Sequence, residues 1–214
     1  MRIVLIGASG NAGSRILNEL QSRGHDVTAV VRNPERLPPG IKSRRDDLSN
    51  VDRVAEIIAE AEALVSAYAP PQNDPNQLIA VTARLIEAVR KAGGLRLIVV
   101  GGAASLEITP GVSALASGRL PRDWVPIATS QGKALALLEV SEIDWTYFSP
   151  AAFFEPGHRT GKFRLGRDSL IIKENGNRPA PFENSRISFE DYAVALVDEL
   201  ERPAHLRARF TIGY

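Results

Sequence analysis

The chain opens on a short apolar run, Arg2-Ile3-Val4-Leu5-Ile6, which passes directly into Gly7-Ala8-Ser9-Gly10-Asn11-Ala12-Gly13. Ser14-Arg15-Ile16-Leu17-Asn18-Glu19-Leu20 follows, with apolar residues at helical spacing. A strand, a glycine turn and a helix in immediate succession is an arrangement that cradles a nucleotide diphosphate. The glycines let the backbone turn sharply, approach a pyrophosphate closely and pack the helix near the strand. The N-terminus of the helix then points free N–H groups at the phosphate oxygens. The segment predicts a nucleotide site over Gly7, Ser9, Gly10, Asn11, Ala12 and Gly13. The competing reading is a strand-to-helix turn that binds nothing.

Strand and helix signals keep alternating. Val27–Val31 is short and β-branched, Lys42–Arg45 reads as a weak third strand, and Val51–Glu60 as a helix with Val54, Ile57, Ile58 and Ala61 on one face. Ala63–Ala67 is a fourth strand. Pro75–Ala92 is a long helix closed by Gly93-Gly94, and Leu95–Val100 a fifth strand. Continuous apolar runs fit strands buried on both faces of a parallel sheet. The fold class expected is α/β, doubly wound around a mostly parallel central sheet with right-handed crossovers.

Regularity breaks at residues 101–124, a stretch rich in Gly, Ala, Ser and Pro that reads as a long loop, functional or mobile. Ile127–Val140 resumes helical spacing, and Trp145–Phe148 is a sixth strand. Phe163–Ile172 reads as a small hairpin, Asn175–Asn184 as a polar loop, Ser188–Leu200 as a helix with Ser188 and Asp191 in capping-box spacing, and Arg209–Ile212 as a last strand. The 214 residues suit one domain, with residues 1–150 as the binding core and 151–214 as a smaller substrate-side region.

Bulk properties exclude several classes. There is no cysteine, so thiol chemistry and disulfides are out. His25, His158 and His205 lack ligand spacing, so no metal is expected. A net charge of +1 asks for neither nucleic acid nor an anionic membrane. No apolar stretch reaches the length of a membrane span, and the initial run is too short for a signal peptide, so a cytoplasmic monomer or homodimer is expected.

Six segments occur in order: the glycine turn at 7–13, Val30-Val31-Arg32-Asn33-Pro34, Asp46-Asp47-Leu48, Gly101-Gly102-Ala103-Ala104-Ser105-Leu106, Asp144-Trp145-Thr146-Tyr147-Phe148-Ser149-Pro150-Ala151 and Ile187-Ser188-Phe189-Glu190-Asp191-Tyr192-Ala193. With them the chain resembles the atypical short-chain dehydrogenase/reductases over essentially its whole length. More narrowly it is similar to the NmrA-like group of NADH–flavin reductases related to biliverdin reductase B. The resemblance implies a Rossmann fold with NAD(P) laid across the carboxyl ends of the strands. It also implies that Asp47 bonds the adenine amine and that Leu48 touches the ring; otherwise Asp47 is a turn residue or helix cap.

Arg32 ends the second strand, where an NAD-preferring fold often holds a carboxylate for the ribose 2′-hydroxyl. A guanidinium there attracts a 2′-phosphate instead, so NADP(H) is expected over NAD(H). Arg36 either helps or is a solvated charge. Ala67 and Gly101 permit close backbone approach to the coenzyme. Tyr68 either covers its central portion or packs on the loop from Gly101.

Members of the resembled superfamily usually carry Tyr-x-x-x-Lys on the helix after the fifth strand. Here Lys133 is the candidate lysine, and Thr129, a hydroxyl of far too high a pKa to act as the acid, stands four residues before it. That absence fits hydride transfer to a planar acceptor such as a flavin or quinone, which needs orientation more than a side-chain acid. Phe153 and Phe154 are candidates for a flat acceptor pocket, against ordinary core packing. Ser105 is a candidate to bond an acceptor carbonyl or the nicotinamide amide, against merely shaping its loop; Trp124 is a candidate lid. The rival functions are a non-catalytic NADP(H)-binding redox sensor and a sugar-nucleotide epimerase or dehydratase.

Overall fold

The computed structural model describes residues 1–173 and 182–214. In chain order it contains β1 (Arg2–Ile6), α1 (Asn11–Ser22), β2 (Asp26–Val31), β3 (Ser43–Arg45), α2 (Val51–Ile58), β4 (Ala63–Ser66), α3 (Gln77–Lys91), β5 (Arg96–Val100), β6 (Glu107–Thr109), β7 (Val112–Ser113), α4 (Val125–Glu139), β8 (Trp145–Ser149), β9 (Phe153–Glu155), β10 (Arg164–Gly166), β11 (Arg186–Ser188), α5 (Phe189–Glu201) and β12 (Ala208–Gly213).

Eight of these strands form one sheet in the order β10-β12-β8-β5-β4-β1-β2-β3. Every neighbouring pair in it is parallel except β10 with β12. This is the doubly wound, Rossmann-like arrangement expected from the alternating pattern. Successive strand residues face opposite sides, and both sides are buried. Ile3 and Leu5 pack with Ile16, Leu17 and Leu20 of α1 and Tyr192 and Leu196 of α5. Val4 and Ile6 pack with Val54 and Ile58 of α2, Val81 and Leu85 of α3 and Leu138 of α4. The chain order reverses at β1, which lies between β2 and β4. A crevice opens at the carboxyl ends of strands at such a reversal.

Several details differ from the sequence reading. The stretch 101–124 holds a two-stranded hairpin, β6 with β7, anchored by the fully buried Leu106 and by Ala114. The expected hairpin over 163–172 is absent: β10 pairs antiparallel with the terminal strand β12, and Leu170 donates its N–H to the Glu107 carbonyl. A sheet edge left open by β12 outcompetes a local turn. Phe153–Glu155 is a strand, pairing parallel with β11. The predicted loop 175–184 falls largely outside the described residues.

The capping box is half formed. Ser188 Oγ accepts the Asp191 N–H at 3.0 Å. The Asp191 carboxylate turns away from the helix and accepts the N–H groups of Thr160 and Gly161 at 2.7 and 2.8 Å and the Tyr214 hydroxyl at 2.9 Å. The Ile187–Ala193 motif is therefore a staple for residues 157–161 and the chain end. No helix of the described residues is long and apolar enough to cross a membrane, and no group of three or more potential metal ligands occurs among them.

Candidate functional site

The crevice at the sequence reversal is a cleft of about 240 Å³. Gly7, Ser9 and Gly10 form its floor, and Ala67 and Tyr68, just past β4, form one wall. The floor is built by close backbone contacts. Gly7 has φ +78°, and a Cβ there would stand 2.4 Å from the Ala67 carbonyl oxygen. A Cβ on Gly13 would stand 2.0 Å from the Gly7 carbonyl oxygen. Gly10 caps α1 with no side-chain hydrogen bond, and no acid lies in the first turn. The first intrahelical bond runs from the Ser14 N–H to the Gly10 carbonyl, which leaves the N–H groups of Asn11, Ala12 and Gly13 without protein acceptors among the described residues. Free amides at the positive end of a helix dipole fit a diphosphate. Asn11, Ala12 and Gly13 are not among the residues lining this cleft, but Asn11 is exposed and Ala12 half-buried beside its Ser9–Gly10 floor; Gly13 is buried and serves the turn's shape.

The opposite wall carries charge. Arg32 and Arg36 both line the cleft and are exposed. Neither has a carboxylate partner among the described residues. Beside them two Asx turns follow β3. Asp46 accepts the Leu48 N–H at 2.7 Å; Asp47 accepts the Ser49 N–H at 3.0 Å and the Ser49 hydroxyl at 2.6 Å. These bonds hold Leu48 at φ +64° with its side chain buried at the cleft. Asp46 is buried and paired with Arg53 at 3.0 Å. Asp47 is exposed, and the Ser49 hydrogen bonds hold its carboxyl below the usual aspartate range. Of the two adjacent aspartates, Asp47 is thus the one open to a ligand. Tyr68 donates its hydroxyl to Gln77 Oε1 at 3.3 Å, and burial raises its pKa. It packs with the α2–α3–α4 side of the core and lines the cleft.

A second pocket, of about 180 Å³, opens along the same sheet edge, at the ends of β5 and β8. Gly102, Ala103 and Ala104 form one side, Ile127, Ala128 and Gln131 of α4 another, and Trp124 stands at the mouth. Leu170 and Phe182 complete the far side. No lining side chain among the described residues is titratable.

Only part of the expected acceptor site meets here. Trp124 lines the pocket, and its ring stands edge-on to Phe153 with centroids 6.0 Å apart. Phe153 is also covered by the Arg186 guanidinium at 4.5 Å. Phe154 is core: its ring packs on Phe189 and Tyr192 at 4.5 and 4.6 Å. Adjacent residues of β9 point to opposite faces, so the two phenylalanines cannot share one pocket.

Ser105 lies outside the pocket lining. Its hydroxyl and its carbonyl each accept from Arg209 at 3.0 Å, which fixes the loop to β12. Lys133 is exposed and absent from the lining. One helical residue turns about 100°, so Lys133 points roughly opposite to Gln131. Thr129 spends its hydroxyl on the Val125 carbonyl at 2.8 Å. The Gly101 glycine has a reason other than a phosphate: a Cβ there would stand 2.3 Å from the Tyr147 ring.

Sequence reasoning missed Gln131 and Tyr147. Tyr147 is fully buried in β8, and burial pushes its pKa well above the ordinary value. The available signal was a carboxamide four residues after Ile127 on α4, and a phenol in the middle of a fully buried strand.

A family model described as NAD(P)H-binding matches residues 7–203, from the first glycine of the turn almost to the end. The chain belongs to this NAD(P)H-binding family. It is similar to the uncharacterized protein YwnB of Bacillus subtilis, with 37% identity covering 99% of this chain and 98% of YwnB. A crystal structure from Bacteroides thetaiotaomicron, named a "putative epimerase", superposes with a TM-score of 0.89 at 45% identity, covering 100% of this chain and 96% of that one. A Streptococcus pneumoniae structure named a "putative NADH-flavin reductase" superposes with a TM-score of 0.85 at 28% identity, covering 100% and 99%. The family match and the alternating sheet agree on a nicotinamide coenzyme as the ligand class.

Proposed function

We propose that the chain is an NADPH-preferring oxidoreductase that passes a hydride to a planar acceptor such as a flavin or quinone. The observation that carries this reading is the second pocket. It lies beside the cleft on the same sheet edge and is apolar, with no acid or base among its described lining. Such a pocket orients a flat ring and excludes water, and has no group suited to ionise an alcohol.

In this reading Ser9 and the free amides of Asn11, Ala12 and Gly13 grip the diphosphate. Arg32, aided by Arg36, attracts the 2′-phosphate; Asp47 bonds the adenine amine and Leu48 lies against the ring. Ala67 and Tyr68 bound the middle of the coenzyme, and the backbone at 101–104 borders the reacting end. The bound coenzyme supplies the hydride, and the acceptor takes its accompanying proton from water. Trp124 and Phe153 shield the acceptor's outer face. The name of the Streptococcus pneumoniae relative supports a flavin as acceptor. The epimerase named for the Bacteroides relative needs acid–base side chains, and the described pocket lining offers none. A cytoplasmic location belongs to the same proposal.

The test is NADPH and NADH oxidation followed at 340 nm with FMN, riboflavin and menadione as acceptors. The expected result is acceptor-dependent turnover with NADPH favoured. No rate with any acceptor overturns the proposal. The displaced Lys133 and internally bonded Thr129 favour one second reading, a redox sensor. A sensor binds NADP⁺ and NADPH in calorimetry and turns over neither.

A further inference from the structure

Gln131 is the one carboxamide on the pocket wall, and the Trp124 indole N–H is the only other polar side-chain group in the described lining. Its orientation is fixed from behind. The Gly102 N–H donates to the Tyr147 hydroxyl oxygen at 3.1 Å. That hydroxyl has a single proton, which it gives to Gln131 Oε1 at 2.7 Å; the Gln131 main-chain carbonyl stands farther off, at 3.3 Å. The carboxamide oxygen is therefore taken, and its NH₂ group is the free end. Among the described residues nothing accepts from that NH₂.

The neighbouring glycines make room for this pair. A Cβ on Gly101 would collide with the Tyr147 ring, and one on Gly102 would stand 3.0 Å from the Gln131 side chain. Two glycines, a buried phenol and a pocket-facing carboxamide thus form one unit. Its output is an oriented N–H donor pair in otherwise apolar surroundings. A donor in such surroundings discriminates strongly in favour of a ligand that can accept from it.

We propose that Gln131 selects the acceptor by donating to a ring carbonyl oxygen, with Tyr147 as its positioning residue. The ligand class is a planar ring system bearing a conjugated carbonyl, as in quinones and the isoalloxazine dione. This rests on the acceptor-pocket reading above and narrows it, since a flat apolar slot alone accepts any aromatic ring.

The test is calorimetric binding to the full chain in the presence of saturating NADP⁺. The two probes are menadione and 2-methylnaphthalene, which share a carbon skeleton and differ in the carbonyls. Wild type is expected to prefer menadione by about tenfold or more. Gln131→Met is expected to lose that preference, with 2-methylnaphthalene binding and NADP⁺ affinity unchanged. Tyr147→Phe keeps the carboxamide but frees its rotation, and is expected to reduce the preference partially.

Equal weakening of both probes by Gln131→Met overturns the proposal and makes Gln131 a packing residue. So does a wild-type chain that binds the two probes equally or binds neither. Should Tyr147→Phe unfold, the Gln131→Met comparison decides alone. Binding is read separately from turnover. Selective binding with no NADPH oxidation keeps this inference and sinks the reductase reading; turnover without selectivity does the reverse.

Discussion

Gly13→Ala is the sharpest single perturbation of the glycine turn. The added methyl would stand 2.0 Å from the Gly7 carbonyl oxygen, 2.8 Å from its carbon and 3.1 Å from Ala8 Cα. All three are backbone atoms, so no side chain can swing aside. Nor can the turn retreat easily: the Gly7 N–H is bonded to the Val30 carbonyl at 3.2 Å, and the Gly7 carbonyl accepts the Gly10 N–H at 2.9 Å. Ordinary contact begins near 3.4 Å, so the atoms must separate by about 1.4 Å and α1 must move out accordingly.

Overpacking of this kind costs about 1–3 kcal/mol, and a chain of this size loses roughly 2–4 °C in Tm per kcal/mol. The expected drop is therefore about 2–12 °C. The same shift carries the amides of Asn11 and Ala12 away from any diphosphate they hold. Two weakened charge-assisted hydrogen bonds amount to a loss of about 100-fold in NADPH affinity. Gly24→Ala is the control. Gly24 has φ +78°, and nothing lies within 4 Å of an added Cβ there. It is expected to lose about 1 kcal/mol of stability through backbone strain and no coenzyme affinity. Scanning calorimetry and NADPH titration of both variants separate the two effects. A Gly13→Ala chain that loses stability as expected yet binds NADPH unchanged would refute the diphosphate role of the turn. An unchanged Tm would refute the close packing itself.

Other outcomes follow from the remaining geometry. Arg32→Glu is expected to weaken NADPH by about 100-fold or more while NADH changes by less than about threefold; equal losses for both coenzymes would show that Arg32 does not read the phosphate. The buried Glu19 carboxylate holds Arg159 through two 2.9 Å bonds and Arg23 through another, and Arg159 leads in pulling its pKa below the ordinary 4.5. Its stabilising contribution is therefore complete above about pH 4.5 and is lost as pH falls through the lowered folded value. Arg159→Ala raises that folded value toward the unfolded one, so Glu19's share of the acid decline in Tm is expected to shrink while its onset near pH 4.5 stays put, with about 1 kcal/mol or less lost at neutrality because Arg159 is well exposed; an undiminished decline contradicts the pairing. Phe154→Ala is expected to cost about 3 kcal/mol in chemical denaturation without altering acceptor KM. Trp124→Ala is expected to do the reverse, and a matching pattern in the two would undo the division between core and pocket.

Local order was written in the sequence wherever one segment supplies its own reason. The opening strand, glycine turn and helix needed only adjacent residues, and so did the apolar runs that declare a sheet buried on both faces. The position of Arg32 and Asp47 at the cleft was legible because they lie one residue past β2 and two past β3, and strand ends in this topology face the crevice. Tertiary structure decided whatever depends on partners far along the chain. β10 found the edge of β12 instead of its neighbour, because an open strand edge offers more backbone hydrogen bonds than a short local turn. Phe154 packed against the core and Phe153 turned toward Trp124 because β9 pairs with β11, which fixes which face each ring takes. Ser105 was claimed by Arg209 and Asp191 by Thr160 and Tyr214, pairings no local pattern announces. The meeting of Gln131 with Tyr147 belongs to the same class: helix α4 and strand β8 each present an ordinary residue, and only their packing across Gly101-Gly102 turns the pair into an oriented donor.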